Sequence, residues 1–182
     1  MKPAVNPFKG STSWGANSKA AAAGAKRARA RSRPRPAPRG VDDLPGLIAA
    51  DLTAGQSIVG QVILPFPPVE LSPNWRGHWS AHSAAAREYR RMCWALALEA
   101  KLRVPDYAGE GSPIHVRLDF FPPNRARRDD DNVPASFKAG RDGVADALRC
   151  DDARFRTRTV MHDEPRSCVV FSLIRPAEGE MA

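Results

Sequence analysis

Between Ser57 and Ile174 the spacing of apolar residues switches between two and about 3.6, and the order of the switches limits the folds open to the chain. Ile58, Gly60, Val62 and Leu64 alternate with Val59, Gln61 and Ile63, which predicts a buried first strand over 57–64, stopped by Pro65-Phe66-Pro67-Pro68. Tyr89, Met92, Cys93, Leu96 and Ala100 recur at threes and fours, so a helix is expected from Ser80, a capping residue, to about residue 102. Over 114–121, Ile114, Val116, Leu118 and Phe120 alternate with His115, Arg117 and Asp119, a second strand with its polar set turned to the other side. Val133, Phe137, Val144, Ala145 and Leu148 share one face of a second helix over 133–148, with Pro134 tolerated in its first turn. Residues 155–161 and 168–174 read as two last strands, joined through 162–167 as a hairpin. A short helix around 44–52 precedes the first strand. Strand, helix, strand, helix, strand, strand predicts an α+β domain, a small mixed β-sheet with packed helices.

Charge divides the chain at about residue 40. The formal net charge is +8, yet residues 1–40 hold ten of the Lys and Arg and no acid. Eighteen basic residues then face twenty acidic ones, so the folded part carries −2 and its basicity is no argument for DNA binding. Residues 1–56 are expected to be a disordered basic arm and transition, rich in Ala, Arg and Pro. Such an arm suits salt-dependent attraction to phosphate backbones, or serves only as a solubilising extension. The domain is expected over 57–176, with 177–182 as a flexible tail. Cys93, Cys150 and Cys168 form no CxxC pair and read as free thiols. The apolar runs are too short to span a bilayer and none resembles a signal peptide, so a cytoplasmic protein is expected.

The chemistry concentrates in Arg127-Arg128-Asp129-Asp130-Asp131-Asn132, followed by Lys138, Asp142, Asp151 and Asp152. In an extended segment Asp129 and Asp131 point the same way and Asp130 opposite. Crowded carboxylates repel unless a cation sits among them. A helix beginning at Asp131 or Asn132 sets its positive end beside them. Lys138 lies two turns on, its ammonium leaning back toward the acids, with Asp142 one turn further as a partner. Asp151 or Asp152 can supply a third carboxylate if the strand they open lies beside the segment ending at Asp131. An all-oxygen set without Cys or His favours Mg²⁺ or Mn²⁺. With Arg127, Arg128 or Lys138 steadying developing charge, such a site suits phosphodiester hydrolysis. Taken alone, an Asp run is more often a solvated loop or a helix cap.

The string RRDDDNVPASFKAGRDGVADALRCDDARF resembles the core signature of the RusA-type Holliday junction resolvases: basic residues, Asp-x-Asp-Asn, a helix with a Lys and an Asp-x-x-x-Asp-x-Leu segment, then Asp-Asp. The first-strand ending ILPFPP, with the Asn and Trp/Arg-rich loop after it, is similar to the family's opening, and the resemblance covers about residues 57–175. By position it implies that Asp129, Asp131 and Asp152 bind the metal, with Asn132 beside them. The family's lysine commonly follows the Asp-x-Asp-Asn after two residues, where this chain has Ala135; Lys138 comes three residues later. It further implies a Mg²⁺-dependent homodimer that nicks two strands of a four-way junction symmetrically, in a bacterial or phage-infected cell. The alternatives are a DNA-binding protein without catalysis and a nuclease of flap or other branched DNA.

Other residues carry weaker signals. Trp75, Arg76 and Trp79 can stack on unpaired bases or pack over the sheet edge. Arg87, Arg90 and Arg91 form a basic stripe that either meets phosphates or is an ordinary solvated face. Arg154, Arg156 and Arg158 alternate and suggest a DNA-facing ridge. His78 and His82 stand four apart but lack a third ligand, so capping or a place on the DNA surface is favoured over zinc.

Overall fold

The computed structural model describes residues 40–126 and 131–177. Residues 1–39, Arg127, Arg128, Asp129, Asp130 and residues 178–182 lie outside the described residues, and the basic arm and the tail with them. In chain order the elements are α1 (Leu44–Ala50), β1 (Ser57–Pro65), a 3-10 turn (Val69–Leu71), α2 (Trp79–Glu99), β2 (Ile114–Phe121), α3 (Asn132–Ser136), α4 (Lys138–Leu148), a second 3-10 turn (Asp152–Arg154), β3 (Phe155–Met161) and β4 (Cys168–Arg175). This is an α+β fold on a four-stranded mixed sheet of order β1-β4-β2-β3. No helix among the described residues is long and apolar enough to cross a membrane.

The strands fall where their periodicity places them, but their order corrects the expected hairpin. β4 runs antiparallel between β1 and β2, and β3 lies parallel to β2 on its far side, with Ile114 opposite Phe155 and Phe120 opposite Met161. Residues 162–167 therefore carry the chain past β2. The physical reason is burial on both faces. Every residue of β4 from Cys168 to Ile174 is buried, as a central strand requires, whereas Arg156, Thr157, Arg158 and Thr159 of β3 are exposed, as suits an edge. β1 is the other edge and is only half-buried, which corrects the expectation of a buried strand. A bulge at Val59, between the pairs Ile58–Ile174 and Gly60–Leu173, breaks its alternation.

One sheet face packs against helices. Val62, Leu64, Val116, Leu118, Phe120, Val169 and Phe171 meet Tyr89, Cys93 and Ala97 of α2 and Val144, Ala145 and Leu148 of α4 in the main core. The two helices lie in close contact because α4 presents glycine to α2. A Cβ on Gly143 would collide with the Arg90 carbonyl oxygen, and one on Gly140 would sit 2.6 Å from the Phe137 ring and 2.8 Å from that of Tyr89. The expected single second helix is two. It breaks at Phe137 (φ −85, ψ −3), whose buried ring stacks edge-on against Tyr89 and Phe120.

The other face is covered by α1. Leu44 and Ile48, fully buried, close a second cluster over Phe121, Cys168 and Val170. The folded unit therefore begins at about residue 40, not at 57. On this face Arg117 and Asp119, read from alternation as the polar side of β2, are buried at 2% and 0% exposure. Arg117 grips Asp119 through Nε (2.9 Å) and Nη2 (2.8 Å), and bonds the Asp51 carboxylate (2.7 Å) and carbonyl (3.1 Å) at the end of α1. His162 Nε2 meets Asp119 Oδ1 at 2.8 Å, and its ring stacks flat on Phe121. Burial opposes the Arg117 charge, but the hydrogen bonds to Asp119 and Asp51 outweigh it and hold the guanidinium above its ordinary pKa.

Candidate metal and phosphate site

β2 and β3 are parallel neighbours, so the chain between them must cross over, and it does so through α3 and α4. The predicted site residues sit along this crossover. Asp131 is the exposed N-cap residue of α3, its carboxylate making no capping bond. Asn132, half-buried, opens that helix, and Lys138 opens α4. Asp129, Arg127 and Arg128 lie outside the described residues.

At the far end, α4 stops at Arg149 in the left-handed conformation (φ 54, ψ 42), which turns the chain toward β3. The Asp151-Asp152 pair then separates into two roles. Asp151 Oδ1 accepts from the Ala153 backbone N–H at 2.9 Å and caps the 3-10 turn. Asp152 points to α4 instead, where Arg141 Nη2 donates to its Oδ2 at 2.5 Å. That hydrogen bond, reinforced by the charges of Arg141 and Lys138, holds the Asp152 carboxyl below its ordinary pKa. The Lys138 ammonium, 68% exposed, is paired with Asp142 at 3.2 Å, the expected one-turn partner.

Arg141 is the residue that the sequence reading missed. It lies three positions after Lys138 and so on the same side of α4, a spacing that could have drawn attention to it. No periodicity, however, links it to Asp152 across the helix end. Its Nε is buried with no hydrogen-bond partner among the described residues, an arrangement that typically costs about 1–3 kcal/mol.

The other basic candidates separate. Arg90 forms a two-point pair with Asp146 (2.6 and 2.8 Å) that ties α2 to α4, while Arg87 and Arg91 remain exposed. Arg154 lies in the 3-10 turn rather than on a strand. Its guanidinium donates to the carbonyls of Ser112 (2.9 Å) and Gly109 (2.7 Å), which corrects its place in a DNA-facing ridge: it holds the 108–112 loop. Arg156 and Arg158 do share a face, but it is that of His115 and Arg117, opposite α4. Arg76 is exposed in the loop before α2, and Trp79, 72% exposed, starts that helix. His78 caps α2, its Nδ1 accepting from Ser80 N at 3.3 Å. Burial pushes the thiols of Cys93 and Cys168 up to about 12. Among the described residues no three His, Cys, Asp or Glu side chains gather as a metal site, Asp129 and Asp130 not being among them.

No family model matches the chain. A protein of Xylella fastidiosa (strain Temecula1), described only as uncharacterized, is 40% identical to it over 123 residues, 65% of this chain and 77% of the relative. The chain belongs to that protein's family. Membership in the Xylella family extends across most of the relative's length and brings no activity with it.

Proposed function

We propose that this chain is a RusA-like, metal-dependent endonuclease that resolves four-way DNA junctions by paired phosphodiester hydrolysis. The observation that carries the reading is Asp152. Of two adjacent acids it is the one turned onto α4, its carboxylate kept ionised by Arg141 and Lys138 on the crossover that starts at Asp131. The match of the whole acidic string to the resolvase signature supports it further.

The donor chemistry fits a hard divalent cation. Asp131 and Asp152, with Asp129, offer carboxylate oxygens alone, the set preferred by Mg²⁺ or Mn²⁺. A cation held by these carboxylates would supply charge neutralisation of the phosphate and a more acidic water. The protein's own part is to hold Asp152 ionised through Arg141, and to present Arg141 and Lys138, both on α4, to an anionic transition state. Asn132, Arg76 and the arginines at 127 and 128 serve as contacts to the DNA backbone in this reading. A twofold homodimer suits a substrate with two equivalent strands.

Incubating the protein with a labelled four-way junction, a flap and a linear duplex, in Mg²⁺ and in EDTA, tests the proposal. Symmetric nicks in the junction alone, lost in EDTA and in Asp131→Asn and Asp152→Asn, are expected. Tight junction binding without cutting in either Mg²⁺ or Mn²⁺ would instead establish a binding protein, and preferred cutting of the flap a nuclease of other specificity.

A further inference from the structure

We propose that Arg141 is a built-in counter-ion, occupying the cation's place beside Asp152 until a divalent metal displaces it and frees the guanidinium for a phosphodiester oxygen. Resting on the nuclease reading above, the role falls to a residue that lies within the acidic string but is not one of its acids or its lysine. Comparison with two other arginine–aspartate pairs, Arg90–Asp146 and Arg117–Asp119, supports it. Arg90 and Arg117 each bring Nε and Nη2 together against their partner carboxylates, the two-point fork that suits guanidinium and carboxylate geometry. Among the described residues Arg141 meets Asp152 through Nη2 alone and leaves Nε buried without a partner. A one-point grip with an unmet donor is a pose that the side chain gains by leaving, provided that Asp152 receives another cation.

The surroundings permit that exchange. The Arg141 and Asp152 side chains are 35% and 27% exposed, so solvent and ions reach both. Lys138 is tethered to Asp142 and keeps its field on Asp152 when Arg141 departs. Asp151 does not compete for the incoming cation in the same way, because its Oδ1 holds the Ala153 N–H. Once displaced, Arg141 stands beside the acids with all its donors open, and a phosphate oxygen is the acceptor that planar guanidinium geometry matches. Metal and nucleic acid then assist each other, the first releasing the side chain that grips the second.

The test is Mn²⁺ binding to the full chain without DNA, by titration calorimetry and electron paramagnetic resonance, in the wild type, Arg141→Gln and Arg141→Lys. Removing the competing ion pair should tighten Mn²⁺ binding about two- to fivefold in Arg141→Gln, with Arg141→Lys between it and the wild type. The same Gln variant should bind a four-way junction more weakly in Ca²⁺. Mn²⁺ affinity that is unchanged or weaker in a folded variant would overturn the counter-ion role while leaving the nuclease reading intact. If Arg141→Gln fails to fold, an Arg141→Lys affinity equal to the wild type's is the overturning result. Absence of Mn²⁺ binding in all three proteins would instead bring down the metal reading on which the role depends.

Discussion

Two arginine–aspartate networks flank the sheet, and they differ in how completely they are satisfied. Under α1, Arg117, Asp119, His162 and Asp51 form a closed set. Arg117 and Asp119 are cut off from water, and Arg117 donates through Nε, Nη1 and Nη2. Beside α4, Arg141 and Asp152 form an open one, part-exposed and joined by a single contact. A buried charge is tolerated only when its partners are fixed, so the first network locks an element in place. The second keeps its charges exchangeable, a property useful to a site and useless to a scaffold. Charge at the surface and charge in the interior therefore serve different ends in one small domain.

The sharpest way to break this contrast is Arg117→Ala. Leaving Asp119 buried beside an empty space should cost about 3–5 kcal/mol in denaturant unfolding. It should also loosen α1, so that the Cys168 thiol, covered by Leu44 and Ile48, begins to react with a thiol reagent. Replacing Arg141 should leave Cys168 protected. If both variants expose it equally, the two networks are not separate in function. A smaller effect is expected at Gly143, where alanine forces α4 away from Arg90 and Trp94 of α2. Gly143→Ala should lose about 1–3 kcal/mol and, on the proposed nuclease reading, reduce cleavage, because Lys138 and Arg141 ride on α4, while Cys168 stays unreactive. Thermal unfolding and thiol labelling of one sample decide the point.

The smallest effect concerns acid. Arg117 lowers the Asp51 carboxyl, and Arg141 that of Asp152, from an ordinary value of 3.8. Groups lowered on folding bind fewer protons in the native state. Their contribution is complete above 3.8 and is lost as the pH falls through the lowered values. Stability followed by thermal unfolding should therefore decline below that pH, and slightly less steeply in Arg141→Gln. An equal slope would mean that Asp152 adds nothing to acid sensitivity.

Much of this was legible in the sequence, and the failures are instructive. All four strands and the longer helix could be located because periodicity is a local property. Alternation in β2 marked two faces correctly but could not say that the polar one, with Arg117 and Asp119, was a second interior; α1 covers it from 66 residues away. Strand order was misread because 162–167 is short enough for a hairpin, although the mostly apolar run of β4, broken only by Ser172 before Arg175, already indicated a central strand. In the candidate site, spacing and resemblance pointed to Asp131, Lys138 and Asp152. The grip of Arg141 on Asp152 depends on how the chain folds back after Arg149, which no linear pattern encodes.

The position of β4 also has a temporal consequence. The strand that joins β1 to β2 is the last of the four to leave the ribosome, so while β1, α2 and β2 are already synthesised, no hydrogen-bonded ladder can connect β1 to the rest. Until residues 168–175 arrive, Val62, Leu64, Leu118 and Phe120 have no central strand to lie beside. The domain should therefore fold in one late step, governed by long-range contacts and slow for its size. A growing chain halted before Cys168 would present unpaired, apolar strands to whatever chaperones attend it.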